Sequence, residues 1–331
     1  MSETRFDVLT IGNAIVDIIA QAGEDFLVSE NIIKGAMNLI DTDRAEHLYA
    51  AMGPAIEASG GSSANTAAGV AGLGGTAAYF GKVSNDHLGG IFRHDIRAVG
   101  VHYETAPLDG PPPTARSMIF VTPDGERSMN TYLGACVELG PEDIEADVVA
   151  ASKITYFEGY LWDPPRAKEA IRLAAKIAHE NDRDFSMTLS DSFCVDRYRG
   201  EFLDLMKSGT VDIVFANESE LHALYETASF ETALEAFRAD CAIGIVTRSE
   251  KGCVVVTREE THAVPAHPID ELVDTTGAGD LFAAGFLFGL TNGRDLVDCA
   301  RIGALAAALC IQQVGPRPRV SLKDALAQEG L

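Results

Sequence analysis

An α/β fold is predicted, with a mainly parallel central sheet, helices on both of its faces and a small β lid, and three observations predict it. Short strand-forming runs alternate with helical patterns through most of the 331 residues. Two segments break that rhythm with strand formers and turn residues. Polar residues follow several of the strands, at the edge where α/β sheets place ligands.

Taken in chain order, DVLTIG opens the sheet as its first strand, and Asn13 and Asp17 close it. A carboxylate in that position can take a sugar diol bidentately; either residue can equally be a plain cap. The segment SGGSSANTAAGVAGLGG (59–75) follows. Gly60 and Gly61 supply a tight turn at which a backbone can approach a ligand, and Asn65 falls on the first turn of an Ala/Gly-rich helix that must pack closely. Its amide can donate to and accept from vicinal hydroxyls, while the plainer reading is a glycine turn before a tightly packed helix. The Walker pattern is absent from this loop, which argues against phosphate cradling there.

Residues 16–44 and about 106–134 are the two segments outside the βα rhythm, and TPDGER is a hairpin signal. They are expected to form the β lid, inserted in two pieces into a single domain spanning 1–331. Further strands are expected at KITYFEGYL, DFSMTL, VDIVFAN, AIGIVTR and CVVVT, with helical patterns at AKEAIRLAAKIAHEND, FLDLMKSG, ESELHALY and ETALEAFRAD between them. NESE (217–220) follows the VDIVFA run. Asn217 and Glu220 can hold water around a Mg²⁺ ion, or simply cap the next helix.

The sharpest motif is DTTGAGDLFAAGFLFGL (274–290). Gly277, Ala278 and Gly279 are small enough to present consecutive backbone N–H groups to an anion, and the apolar periodicity behind them marks a helix N-terminus. Asp280 stands in the first turn. A carboxylate beside a phosphate is repulsive unless it accepts the proton of an attacking hydroxyl; the alternative is an acidic residue complementing the helix dipole.

Composition sets the outer limits. A formal net charge of −23 argues against a nucleic-acid partner, and no run of about 18 apolar residues is free of polar breaks, so no membrane partner is expected either. Any anionic ligand must be held locally, by backbone N–H groups, a few arginines or a metal. The N-terminal residues lack the pattern of a secretory signal, and the expected location is cytoplasmic. Cysteines 136, 194, 241, 253, 299 and 310 are scattered, without metal-ligand spacing, and are expected to be buried reduced thiols.

DTTGAGD with its helix, and GGSSANTAAGVAGLGG followed by YFGKVSNDHLGG, resemble the two signatures of the ribokinase (PfkB) family of carbohydrate and nucleoside kinases. The resemblance runs through NESE and TRSEKG over essentially the whole chain. GNAIVDI, GERSMNTYLGA, NDRDFSMTLSDSF and VDIVFANESE look closer to adenosine kinases than to sugar kinases. It implies a ribokinase-like fold and ATP-dependent transfer to a nucleoside 5′-hydroxyl, with adenosine first, inosine or guanosine next, and a free sugar third. A catalytically silent metabolite sensor is the reading from another class.

Carried over by position, Asp280 would be the general base, and Gly277, Ala278 and Gly279 the anion hole. Asp17, Gly61 and Asn65 would hold the ribose hydroxyls, with Asn13 nearby, and Arg127 would approach the transferring phosphate from the lid. Leu39, Met129 and Leu133, with Tyr160 or Leu161, would wall the base. Asn217 and Glu220 correspond to the magnesium and phosphate motif, and Thr247 and Gly252 would line the ATP site. Mg²⁺ is implied as a cofactor, and potassium activation is consistent with the family. Ribokinases pair through the lid sheet and adenosine kinases are typically monomeric, so a monomer is expected, with a lid-mediated dimer as the alternative. The chain departs from the pattern at Ser249, where many members have glycine, and at Met37, where some adenosine kinases have a polar residue.

Overall fold

A computed structural model describes residues 3–331; the first two residues of the N-terminal segment lie outside them. Thirteen strands occur among the described residues: β1 Phe6–Ile11, β2 Ile15–Gln21, β3 Met37–Leu39, β4 Ala55–Gly60, β5 Ala77–Phe80, β6 Ala115–Val121, β7 Arg127–Tyr132, β8 Ser152–Glu158, β9 Asp184–Thr188, β10 Ile213–Asn217, β11 Ile243–Thr247, β12 Cys253–Thr257 and β13 Thr261–Val264. The α-helices are α1 Glu24–Ser29, α2 Thr42–Ala51, α3 Ser62–Gly72, α4 His87–Ala98, α5 Ala146–Ala150, α6 Pro165–Glu180, α7 Ser192–Lys207, α8 Glu218–Tyr225, α9 Phe230–Asp240, α10 Ala278–Thr291, α11 Leu296–Ile311 and α12 Leu322–Glu329.

The large sheet runs β13-β12-β11-β10-β9-β8-β1-β5. Its strands from β5 to β11 pair in parallel, and only the β11–β12 and β12–β13 pairs are antiparallel. Parallel strands buried on both faces need apolar residues at successive positions, which is how VDIVFA reads. In β10, Val214 and Ala216 enter one core layer with α6 to α9, whereas Ile213 and Phe215 enter the other with α3, α10 and α11. The glycines and alanines of the second layer allow close approach: Gly69 lies against Ala284 and Leu281, and Gly285 against the Gly303 backbone.

The small sheet runs β3-β7-β6-β2-β4. It takes in Ala55–Gly60, which lies outside the two pieces 16–44 and 106–134 expected from the sequence. AIEASG has a single β-branched residue, so neither propensity nor alternation marks it as a strand. One face of this sheet, with Val16, Ile18, Met118 and Phe120, is packed under α1, α2 and α4 through Leu27, Ala45, Leu48 and Phe92. The opposite face carries a row set by register, Ile56, Ile19, Ile119, Met129 and Met37, and a second row, Ala58, Asp17, Ser117, Thr131 and Leu39. All six cysteines are buried free thiols. No helix among the described residues is long and apolar enough to cross a membrane.

Candidate active site

A cleft of about 910 Å³ lies between the second face of the small sheet and the C-terminal ends of the large sheet's strands. Residues from distant parts of the sequence line it: Asn13 and Asp17 after β1, Gly61 and Asn65 at the start of α3, Leu39, Met129 and Leu133 from the small sheet, and Tyr160 after β8. Asn217, Glu220, Thr247, Gly277, Gly279 and Asp280 line it as well. Gly60, Ala278, Gly252, Leu161 and Arg127 do not.

The N-terminus of α10 is built for an anion. Gly277 is its N-cap at φ 78°, and no side chain caps the helix. A β-carbon at Gly277 would stand 2.6 Å from that of Pro316, so packing and backbone both demand glycine. Gly279 is different, because a β-carbon there would meet nothing within 4 Å. The protein leaves that space open toward the cleft, and the free N–H groups of the first turn with the helix dipole suit a phosphate there.

Asp280 is held from two sides. Its Oδ1 accepts from Ser62 Oγ at 2.6 Å and its Oδ2 from Asn65 Nδ2 at 3.1 Å. Burial pushes its carboxyl pKa up, and the two hydrogen bonds with the nearby Arg317 charge oppose the rise. Asp17 faces the cleft from β2, resting on Gly60, whose missing side chain leaves room for its carboxylate. Gly60 therefore supports the site from beneath rather than lining it. Burial pushes Asp17 up to about 6, against the pull of Arg317 and Arg127.

The sequence reading missed two residues that hold the site together. Glu158, 1% exposed at the end of β8, accepts from Asn13 N at 2.9 Å and Asn13 Nδ2 at 2.8 Å through Oε1, and from Ser63 N at 2.8 Å through Oε2. It fixes the end of the first strand and the start of α3 relative to each other, and burial pushes its pKa up to about 7. A lone glutamate in the apolar run KITYFEGYL is the signal that could have found it. Arg317 donates from Nε to Asn65 Oδ1 at 3.1 Å and from Nη1 to Ser59 Oγ at 2.7 Å, and nothing in GPRPRV points to the site. Phe193 is also on the cleft wall, 79% exposed on the first turn of α7.

Other expectations are corrected. Arg127 is 6% exposed and its Nη2 lies 3.0 Å from Asp274 Oδ2, so the guanidinium is buried against the loop before α10 and does not face the cleft. Gly252, at φ 85°, is a turn glycine between β11 and β12 whose β-carbon would strike the Val264 carbonyl. Ser249 adopts φ 51°, the conformation that explains why glycine suits its position. Of the pair Tyr160 and Leu161, the tyrosine faces the cleft and the leucine is fully buried. Ala278 is absent from the cleft lining, and its N–H donates to the Thr275 carbonyl at 3.2 Å.

Asn217 and Glu220 form a reciprocal capping box for α8: Asn217 Oδ1 accepts from Glu220 N at 2.8 Å, and the Glu220 carboxylate accepts from Asn217 N at 3.0 Å and from Nδ2 at 2.6 Å. Glu220 is 4% exposed, and burial pushes its pKa up to about 7. Among the described residues no group of three or more His, Cys, Asp or Glu side chains could hold a metal ion. The residues present thus offer no protein-built cage for a divalent cation, and Glu220 is the buried carboxylate nearest the Asn217 end of the cleft. Near the α10 loop, the carbonyl oxygens of Thr276, Gly315 and Pro316 converge on the Cys310 sulfur at 3.3, 3.8 and 3.4 Å.

An anion-binding helix start with a carboxylate in its first turn, facing a second carboxylate across a half-apolar cleft, defines a site for phosphoryl transfer to a small alcohol. Residues 45–322 match the pfkB family of carbohydrate kinases, and the chain belongs to that family. It is a phosphotransferase, and family membership makes ATP its co-substrate. The chain is 68% identical to the adenosine kinase of Sinorhizobium meliloti, whose structure superposes with a TM-score of 0.92 over 98% of this chain and 100% of that one. It is also 68% identical to a probable sugar kinase from Rhizobium etli CFN 42, with a TM-score of 0.93 over 99% of each chain. Adenosine kinase from Saccharomyces cerevisiae is 29% identical over 93% of this chain and 96% of its own length.

Proposed function

We propose that this kinase transfers the γ-phosphoryl group of MgATP to the 5′-hydroxyl of adenosine, giving ADP and AMP. The observation that carries the reading is the division of the cleft. Asp17 and Asp280 are two of its carboxylates, and between the small sheet and Tyr160 its wall is largely apolar, with Met37, Leu39, Ile119, Met129 and Leu133. A ribose with a planar base matches that division, whereas a free sugar would leave the apolar wall uncovered. The similarity to the Sinorhizobium enzyme supports the same choice.

In this mechanism Asp17, with Asn13 and the Gly61 backbone, accepts and donates at the ribose hydroxyls. Asp280 takes the proton of the 5′-hydroxyl as that O–H bond breaks. The freed oxygen electron pair forms the new bond to the γ-phosphorus, while the bond from phosphorus to the β–γ bridging oxygen breaks and ADP leaves with that electron pair. N–H groups at Gly277 and Gly279 stabilise the charge spread over the phosphoryl oxygens. Mg²⁺ would supply charge neutralisation on the nucleotide phosphates when bound, Glu220 would hold it through water, and Thr247 would contact the nucleotide. The small sheet acts as the lid of a single domain and excludes water, the competing acceptor. Because α1, α2 and α4 cover its outer face, the lid needs no second copy, which favours a monomer. Buried free thiols agree with a reducing, cytoplasmic location, and the expectation of potassium activation rests on the family resemblance alone.

The test is ADP release with MgATP, with and without potassium, over adenosine, inosine, guanosine, cytidine, ribose and fructose. Adenosine should give the highest kcat/KM; preference for a sugar would overturn the reading of the apolar wall, and no turnover with any would favour a silent sensor.

A further inference from the structure

We propose that Arg317 is a positioning residue for the base: through the Asn65 amide it fixes the Asp280 carboxylate, and its buried charge acts on both Asp280 and Asp17. This rests on the reading of Asp280 as general base. Four observations carry it.

The first is the chain of hydrogen bonds. Arg317 Nε donates to Asn65 Oδ1 at 3.1 Å, and Asn65 Nδ2 donates to Asp280 Oδ2 at 3.1 Å. An asparagine amide can present either its oxygen or its nitrogen to a neighbour. With a guanidinium N–H on one side, only the oxygen can face Arg317, so the nitrogen is delivered to Asp280. Without Arg317 the amide is free to turn, and its oxygen would meet the carboxylate oxygen in repulsion.

The second is how Arg317 itself is held. It leaves from the loop after α11, where Gln313 donates to the Arg317 carbonyl at 2.6 Å and accepts from Arg319 N at 2.8 Å. Pro316, its neighbour, packs on Gly277, and Gly315 N donates to Asp274 at 2.9 Å. The loop that carries the guanidinium is thus strapped to the loop that forms the anion hole.

The third is the far side of the guanidinium. Nη1 donates to Ser59 Oγ at 2.7 Å, Ser59 donates through N and Oγ to Asp95 Oδ2 at 2.7 and 2.6 Å, and Nη1 lies 3.7 Å from that carboxylate. Nη2 is buried without a hydrogen-bond partner. Ser59 belongs to β4 of the small sheet, so Arg317 joins that sheet, α3 and α10 at one point.

The fourth is electrostatic. The groups around Asp280 are Asp17 from β2, Glu158 and Tyr156 from β8, Tyr160, Cys310 from α11 and Arg317. Among the described residues Arg317 is the one cation that lowers the Asp280 pKa, and together with Arg127 it lowers that of Asp17 against burial. Arg317 is not on the cleft surface, so its action on the substrate passes through Asn65 and through the field.

The test uses the full chain. Carboxyl ¹³C titration without ligands, with the Asp280 signal identified by its loss in Asp280→Asn, should show the Asp280 midpoint rising by about one pH unit in Arg317→Met and holding within roughly 0.3 in Arg317→Lys, which keeps the charge. An unmoved midpoint in Arg317→Met overturns the electrostatic role. Then kcat against pH, with MgATP and adenosine, should show the acidic limb of Arg317→Met displaced upward by the same amount. The plateau should fall roughly tenfold or more in both variants, because neither retains the Nε bond to Asn65. A plateau unchanged in Arg317→Lys overturns the positioning role, and that variant decides alone should Arg317→Met not fold. If the wild-type chain does not turn over adenosine, the proposed substrate falls, and the titration still judges Arg317.

Discussion

Gly277 and Gly279 are two residues apart and serve opposite constraints, which their substitutions should separate. Alanine at 277 would carry φ 78° and strike Pro316, so the fold should lose about 1–3 kcal/mol in a denaturant melt. Alanine at 279 meets nothing within 4 Å, and alanine is the better helix former by about 1 kcal/mol, so Gly279→Ala should melt at or slightly above the wild-type temperature. Its β-carbon would nevertheless stand where the phosphoryl group must rest, and kcat should fall roughly 10²-fold. Retained activity in that variant would move the anion hole elsewhere. Asp17 offers a second single-residue test. With its pKa at about 6, the ionised form that accepts two ribose hydroxyls is lost as pH falls through that value. Adenosine affinity, measured by calorimetry on Asp280→Asn so that the base does not titrate, should be steady from pH 8 to 7 and weaken about tenfold per unit below pH 6. Asp17→Asn should bind more weakly at neutral pH and show no such slope. At this scale the sequence was informative where chemistry is local: DTTGAGD, SGGSSAN and Asp17 announce themselves by residue type and spacing. Arg317 was not legible, because its meaning comes from reaching Asn65 across 252 residues of chain.

Among the elements, the long βα units were the most legible, since strands buried on both faces and helices of two to four turns leave strong periodic patterns. ESELHALY matches α8 end for end, because its capping box is written in four consecutive residues. The small sheet was less legible. Its edge strand β4 is poor in strand formers, and what holds it is pairing with β2 from Ile15↔Gly60 to Ala20↔Ala55, a partner choice that no local pattern encodes. The tie between β7 and the α10 loop belongs to this scale too. Arg127 and Asp274 are 6% and 7% exposed, and Asp274 also accepts from Thr276 N at 3.0 Å and Gly315 N at 2.9 Å. Removing the guanidinium leaves a buried carboxylate with only those two donors, so Arg127→Ala should cost about 3 kcal/mol of stability, read as a lowered midpoint in a chemical melt. Should the melt be unmoved while kcat falls, the guanidinium leaves Asp274 during turnover and acts on the phosphate instead.

For the molecule as a whole, three cleft carboxyls set an unusual dependence of stability on pH. Glu158 and Glu220 are pushed up to about 7 and Asp17 to about 6, all through burial. Each therefore binds its proton more tightly folded than unfolded, so its contribution is complete below the unfolded value near 4 and is lost as pH rises through 6 to 7. Surface carboxyls such as Glu30 and Glu218, lowered chiefly by hydrogen bonds from Arg44 and Arg248, act with the opposite sign and in a lower window, below about pH 4.5. Between about pH 5 and 7 the folded chain holds roughly two extra protons, which corresponds to a loss of roughly 2–3 kcal/mol of stability per pH unit. The net charge of −23 works in the same direction, since protonation relieves repulsion, but salt separates the two. At about 1 M salt the screening length is about 3 Å, which silences the surface field and leaves buried carboxyls nearly untouched. Unfolding free energy measured at that salt should still fall steeply from pH 5.5 to 7.5. Glu158→Gln should flatten the slope by about half and lower the stability throughout, because an amide nitrogen would face the Ser63 N–H that Oε2 now accepts. A slope that vanishes in salt would assign the effect to surface charge and show that the cleft carboxyls are ionised at little cost. A slope that persists would mean the open cleft holds its carboxyls near the pH at which they work, at the expense of stability around neutral pH.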